Sequence, residues 1–287
     1  MAIGNILVAF SGNDRDVVAL RAALRLARRY SCHVDALHAS MDPRDAVAFA
    51  GEGMTAAMIE QIMAAAENEG AQALNRARQN FTKELKTAAV MESRVPPATV
   101  EPSAYLVVAP GREDELMAER GRLADLIVVA RGSSSDEAVS TLTLDACLRD
   151  TGRLVLVMPE VAAEFGRHIA IGWNGSIEAG RAVGAALPFL AAADRVTVLS
   201  VEEGRSYGPQ GTAVVEYLAW HGITARAQVL NTSPFGSGRA LLSGLADIQA
   251  DLLVMGAYTR GQMRRLIFGG VTGEVLASTP VPVLMLH

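Results

Sequence analysis

Short runs of apolar residues alternate along this chain with longer stretches whose apolar positions recur every three to four residues. In the C-terminal half such runs predict strands at His168–Trp173, Arg195–Val201, Thr224–Leu230, Leu252–Met255 and Val281–Leu286. The stretches between them predict helices at Ile177–Ala192, Gly211–His221, Ser237–Ala250 and Thr272–Ser278. Runs such as "LLVM" that never alternate with polar residues suit strands covered on both faces, and regular alternation with helices implies parallel order with right-handed crossovers. The pattern is that of a doubly wound α/β domain with a five-stranded parallel sheet.

The pattern occurs twice. "ILVAFSGN" at residues 6–13 corresponds to "IAIGWNGS" at 169–176, "ADLIVVA" at 124–130 to "ADLLVMG" at 250–256, and "RLVLVMPE" at 153–160 to the C-terminal "VPVLMLH". Two tandem domains follow, 1–160 and 167–287. The offset between copies falls from 163 to 126 residues, so the first copy holds about 37 extra residues between Met41 and Val95. That insert, rich in Ala, Met, Glu and Gln, predicts extended helix in which Met54, Met58 and Met63 pack.

In a doubly wound sheet a ligand sits beyond the C-terminal strand ends, where the strand order reverses. Both the "WNGS" turn and the segment Met255–Thr272 occupy that end. Gly256 directly follows its strand, where a side chain would obstruct close approach. Gly269 and Gly270 precede a helix whose first N–H groups converge with the positive helix end, an arrangement that holds phosphate without a lysine. Thr272 offers a hydroxyl, and Arg260, Arg264 and Arg265 add charge. From spacing alone two readings stay open: an anion site, or a strand end, a tight turn and a solvated basic face.

Composition narrows the chemistry. The chain has two lysines, Lys83 and Lys86, against twenty-four arginines, so it carries no G-x-x-x-x-G-K-[ST] loop and no lysine for a Schiff base in its second half. A net charge of -5 and 5% aromatic residues argue against nucleic acid as a partner. The five histidines show no metal-binding spacing, Cys32 and Cys147 read as buried reduced thiols, and His38 reads as a hydrogen-bonded structural residue. No apolar run reaches the ~20 residues of a membrane span and the start carries no basic leader, which predicts a soluble cytoplasmic protein.

The run "VMGAYTRGQMRRLIFGGVTGEVLASTPVPVLML" resembles the C-terminal signature of the universal stress protein family, G-x2-G-x9-G-[ST], and "IAIGWNGSIEA" resembles its opening strand and turn. The resemblance covers both repeats and favours the anion site. It implies a tandem member built from adenine nucleotide alpha hydrolase-like domains. The implied function is a stress-response binding protein that holds ATP, with magnesium, or another adenine nucleotide in its second domain. By match, Gly172, Trp173 and Asn174 stand at the first strand end and its acidic position, and Val201 at the second strand end near adenine. Met255, Gly256, Thr259 and Gly261 open the phosphate loop, and Gly269, Gly270, Val271 and Thr272 close it. Three positions depart from the family pattern: Asn174 replaces an acid, Thr259 a glycine, and Gly270 a Ser or Thr.

The first copy lacks the glycines, with Ala130 opposite Gly256, Ser11 at the acidic position, Ala39 opposite Val201, and Asp136, Glu137 and Asp145 nearby. It reads as a structural or interaction partner, with the halves packed as an internal pseudo-dimer and room for a homodimer. Two alternatives stand beside the nucleotide binder. One is a ligand-free scaffold. The other is a slow ATP hydrolase using Glu274, Glu202 or Glu203 to hold magnesium. No catalytic residue and no protein metal site is assigned.

Overall fold

A computed structural model describes residues 3–44, 55–95, 101–132, 137–161, 164–201, 208–257 and 270–287. It divides into two compact units, Gly4–Thr151 and Gly152–His287, the latter joined by residues 1–3.

In the first unit, β1 (Asn5–Ala9), β2 (His33–Ser40), β3 (Met91–Glu92), β4 (Ser103–Pro110) and β5 (Leu126–Ala130) form a parallel sheet in the order β3-β4-β2-β1-β5. Helices α1 (Asp14–Tyr30), α2 (Ala56–Ala88), α3 (Glu113–Gly121) and α4 (Glu137–Asp150) connect them. The steps β1→β2 and β2→β4 run in one direction across the sheet and β4→β5 runs back. Right-handed crossovers therefore put α1 and α2 on one face and α3 on the other. α1 shows why such a segment is helical. Asn13 caps it by accepting from the Asp16 N–H, Asp14 and Asp16 lie at its positive end, and Arg28 and Arg29 at its negative end. One face, including Val17, Leu20, Leu24 and Ala27, is buried.

Among the described residues, most of the insert is the 33-residue α2, capped by Thr55. Its C-terminal half packs on its own unit. Ala77, Phe81, Glu84 and Leu85 are buried, Phe81 lies beside Phe10, Asn80 Nδ2 donates to the Gly12 carbonyl at 2.8 Å, and Arg21 forms two hydrogen bonds to Glu84. Its first half is more open. Met58 is exposed and Met63 half-buried, so the expected packing of these methionines is only partial among the described residues, and Met54 lies outside them.

In the second unit, β6 (Leu154–Met158), β7 (His168–Gly172), β8 (Arg195–Val201), β9 (Ala225–Leu230), β10 (Leu252–Gly256) and β11 (Val283–Leu286) follow the order β6-β11-β10-β7-β8-β9. The five strands of the second repeat are parallel, and β6 joins β11 antiparallel. The helices are α5 (Ile177–Ala185), α6 (Leu187–Ala191), α7 (Gly211–Trp220), α8 (Ser237–Asp247) and α9 (Gly270–Ser278). The single helix expected over Ile177–Ala192 is two, because Pro188 has no N–H to continue the ladder and instead sits in the first turn of α6.

The repeat extends to individual hydrogen bonds. Asp125 of the first "ADL" accepts from the Gly4 and Asn5 N–H groups, and Asp251 of the second accepts from Arg167 and His168. Phe10 N–H donates to Leu37 as Trp173 N–H donates to Leu199, both at 2.8 Å. In each unit one carboxylate ties down the start of the central strand.

Candidate functional site

Strand order reverses between β7 and β10 in the second unit, and sheets of this kind take ligands beyond the C-terminal strand ends at such a reversal. Register brings the candidate residues of those ends together. Met255 is paired with Gly172, Gly256 follows it, and Trp173 continues from Gly172. Val201 ends β8, one strand away, opposite Leu230. Gly270, Val271 and Thr272 form the first turn of α9, with Gly270 at φ +66° and Thr272 buried. Thr259, Gly261 and Gly269, with Arg260, Arg264 and Arg265, lie outside the described residues, as do Glu202 and Glu203.

The turn after β7 is shaped by its own side chains. Asn174 Oδ1 accepts from the Ser176 N–H at 3.1 Å, and Ser176 Oγ accepts from the Ala179 N–H at 3.1 Å, which caps α5. Asn174 is exposed, and with its oxygen engaged its amide N–H groups are the donors it can offer a ligand. Trp173 Nε1 donates to the Pro209 carbonyl at 2.8 Å, which fixes the indole to the chain that follows β8.

Two close approaches were not legible as such in the sequence. Gly175, at φ +75°, crosses Gly208 so tightly that a Cβ on it would lie 3.1 Å from the Gly208 Cα. Gly256 faces the start of α5, where an added Cβ would meet the Ala179 nitrogen at 2.6 Å and the Glu178 carbonyl carbon at 2.7 Å. The neighbour that requires a glycine at 256 is thus a helix of the protein itself. Glu274 lies one turn into α9 beside Gly238 of α8, with Arg239 at 4.0 Å, so its carboxylate is engaged between two helices.

Two acidic residues, Asp16 and Glu113, lie near one another in the first unit, close to the turn after β1. Ser11 donates its N–H and hydroxyl to Asp16, and Glu113, at the start of α3, accepts from the Thr143 hydroxyl at 2.8 Å. Burial, reinforced by the charge of Asp16, pushes the Glu113 carboxyl up to about 7. Asp145, read from sequence as a source of repulsion, is paired with Arg149 at 2.6 Å. Gly12, in the turn after β1, is covered by α2. His38 is buried, with Nδ1 3.1 Å from the Phe10 carbonyl, and burial holds its pKa below the usual histidine value. Both thiols are buried, and desolvation lifts Cys32 to about 12 and Cys147 further. Among the described residues, no helix is long and apolar enough to cross a membrane.

Comparison with known proteins agrees with this architecture. A crystal structure of a universal stress protein from Archaeoglobus fulgidus superposes with a TM-score of 0.67 at 14% identity, covering 98% of this chain and 95% of that one. A protein of unknown function from Pseudomonas aeruginosa gives 0.59 at 16%, covering 99% and 92%. At these identities the likeness establishes fold. No curated protein matches the sequence. The model of the universal stress protein family matches residues 2–157 and 238–287, well over half the chain. With the repeated parallel sheet and its conserved tethering of β1 and β7, this match makes the chain a member of the universal stress protein family.

Proposed function

We propose that the chain is a stress-response binding protein whose second unit holds an adenine nucleotide, ATP with magnesium, while the first unit serves structure and interaction. The observation that carries this reading is the arrangement at one sheet reversal. The ends of β7 and β10 abut there, and the next described element after β10 is α9, whose first turn begins at an exposed glycine of positive φ. The first N–H groups of a helix have no intrahelical partner, and with the helix dipole they favour an anion.

The residues fit such a group with one change of role. Gly256 packs against α5, so phosphate contact falls to Gly270, Val271 and Thr272 rather than to the strand end. Asn174 offers donors where the family carries an acid, which suits acceptor atoms of the base or ribose rather than a ribose hydroxyl proton. The magnesium would be held chiefly by the phosphates and water. In the first unit the turn after β1 lies under α2 and has the Asp16 carboxylate hydrogen-bonded to Ser11, which disfavours a phosphate there.

The test is thermal unfolding with ATP, ADP and cAMP titrated with and without magnesium. Binding raises the melting temperature in step with RT ln(1 + [L]/Kd). Gly270→Asp and Gly270→Asn tolerate positive φ about equally, so a nucleotide response kept by Asn and lost by Asp identifies charge at the α9 start as the cause. No response at millimolar nucleotide leaves the scaffold reading in possession. Phosphate release under saturating ATP and magnesium tests for hydrolysis.

A further inference from the structure

Among the described residues, the outer side of β4 is open beyond β3. Its inner side pairs with β2 along its whole length, from His33↔Ser103 to Ser40↔Pro110, whereas β3 covers only Ser103 and Ala104. The backbone directions follow from three hydrogen bonds. Ser103 N–H donates inward to Cys32 at 3.3 Å, Gly111 N–H inward to Ser40 at 3.1 Å, and Ala104 C=O accepts from the outer side, from Ser93 N–H at 2.9 Å. Alternation then turns both the N–H and the C=O of Leu106 and Val108 outward, where no strand meets them among the described residues. Pro110, which has no N–H, ends this row.

Edges like this are usually blunted by charge, proline, a bulge or a cover. Here the uncovered stretch reads Leu106-Val107-Val108, the first two half-buried and Val108 42% exposed. Beside it lies a cavity of about 760 Å³ whose walls include Arg78 and Thr82 of α2, Arg94 after β3, and Arg120 in the last turn of α3. Among the described residues none of the three arginines has a carboxylate partner, and Arg94 lies over the Tyr105 ring at 5.8 Å. Of the acids at the cavity, Asp35 is engaged by His33 at 3.2 Å and Glu92 sits on β3. A neighbouring hollow of about 610 Å³ runs along α2 and adds Lys83 and Lys86, the only lysines of the chain.

We propose that the outer side of Tyr105–Val108 receives an extended acidic segment of a partner protein as an added strand. The outward amides and carbonyls of Leu106 and Val108 hold its backbone, and the arginines select its side chains. Because successive side chains of a strand point to opposite faces, neighbouring acidic residues reach Arg78 on the α2 face and Arg120 on the α3 face. A second copy of this chain fits poorly, since a β4–β4 pairing brings the same unpaired arginines together. The inference concerns the first unit alone and stands whether or not the second unit binds nucleotide.

The probe is a fluorescein-labelled ten-residue peptide with Glu-Asp steps between valines, titrated into the full chain by fluorescence anisotropy, with hydrogen exchange read on the complex. Saturable binding is expected, with slowed exchange at the Leu106 and Val108 amides and unchanged exchange at Tyr105 and Val107. Arg78→Glu with Arg120→Glu should weaken binding at least tenfold. Val108→Pro, which removes one outward N–H without altering charge, should do likewise. Should that variant fail to fold, N-methylating alternate peptide residues in the two possible phases asks the same question of the native chain, and only one phase should abolish binding. The proposal is overturned by equal affinity for both N-methylated peptides, by binding without protection at Leu106 and Val108, by no saturable binding up to 1 mM peptide, or by sedimentation showing a second copy on this edge.

Discussion

Gly12 and Ala77 meet backbone to backbone: a side-chain carbon on Gly12 would lie 2.5 Å from the Ala77 Cα and 2.6 Å from its nitrogen. Gly12 also stands at φ +88°, and its carbonyl accepts from Asn80. The inserted helix is therefore seated on the turn that follows the central strand of its own unit, over the place where a ligand would enter that crevice. Gly12→Ala should lower folding stability by about 3 kcal/mol, combining a positive-φ penalty with a clash against main chain that cannot rotate away. Urea denaturation gives the number, and a loss below about 1 kcal/mol would show that α2 is not held against this turn.

The same seat is fastened at its other end by Arg21 and Glu84, whose two hydrogen bonds are 2.7 and 2.8 Å long. The Glu84 side chain is 4% exposed and that of Arg21 53%. Breaking the pair from the arginine side strands a buried carboxylate, whereas replacing both residues with apolar ones removes the need for compensation. Arg21→Ala should cost about 2 kcal/mol, less than for a fully buried pair because water reaches the guanidinium. Arg21→Met with Glu84→Leu should recover most of the loss. A double-mutant cycle with no coupling between the positions contradicts this account.

Glu113 makes the first unit sensitive to pH. Its folded pKa is raised to about 7, burial being the main cause and Asp16 the next. The native state thus holds a proton that the unfolded chain releases near the ordinary carboxylate value. Stability from this group is full below about pH 4.5, falls as pH rises towards 7, and is level above it. Part of the side chain still meets solvent, which limits the effect to roughly 1–3 kcal/mol. Glu113→Gln should flatten the stability profile between pH 4.5 and 7 and make the protein more stable than the parent at pH 8. An unchanged profile would show that Glu113 does not carry this proton.

What could be read from sequence follows a physical divide. The strands of the second unit lie within a residue or two of their expected ends, because an apolar run buried on both faces has one way to fit a sheet. Within the Met41–Val95 insert, Ala56–Ala88 is helical for the reason its composition implies. Contacts between residues far apart were not legible. Gly12 is a turn glycine in sequence, and only the fold sets it under Ala77. Asp16 and Glu113 are separated by most of the first unit. The short reach of β3 beside β4 is invisible to periodicity, since nothing in "SAYLVVAP" says how much of its flank is covered. Pro188 carried a signal that the expected single helix over Ile177–Ala192 passed over, since a proline inside a helical pattern breaks it, here between α5 and α6.

Gly256 belongs to both the family signature and the packing of the second unit, and a single substitution separates the two roles. The strand end lies against the first turn of α5, within 2.6–2.7 Å of where a Cβ would reach Ala179 and Glu178. Gly256 has no positive φ, so Gly256→Ala carries no backbone strain of its own and acts by displacing that turn. Ser176 holds the same turn through the Ala179 N–H, so the helix cannot slide without losing its cap. Overpacking of this kind costs about 1–3 kcal/mol. The variant should show that loss in the absence of any nucleotide, with faster hydrogen exchange in α5 and at the ends of β7 and β10 and none in the first unit. If its stability instead equals the parent's and only the response to ATP disappears, the glycine serves the ligand, and the contact with α5 is incidental.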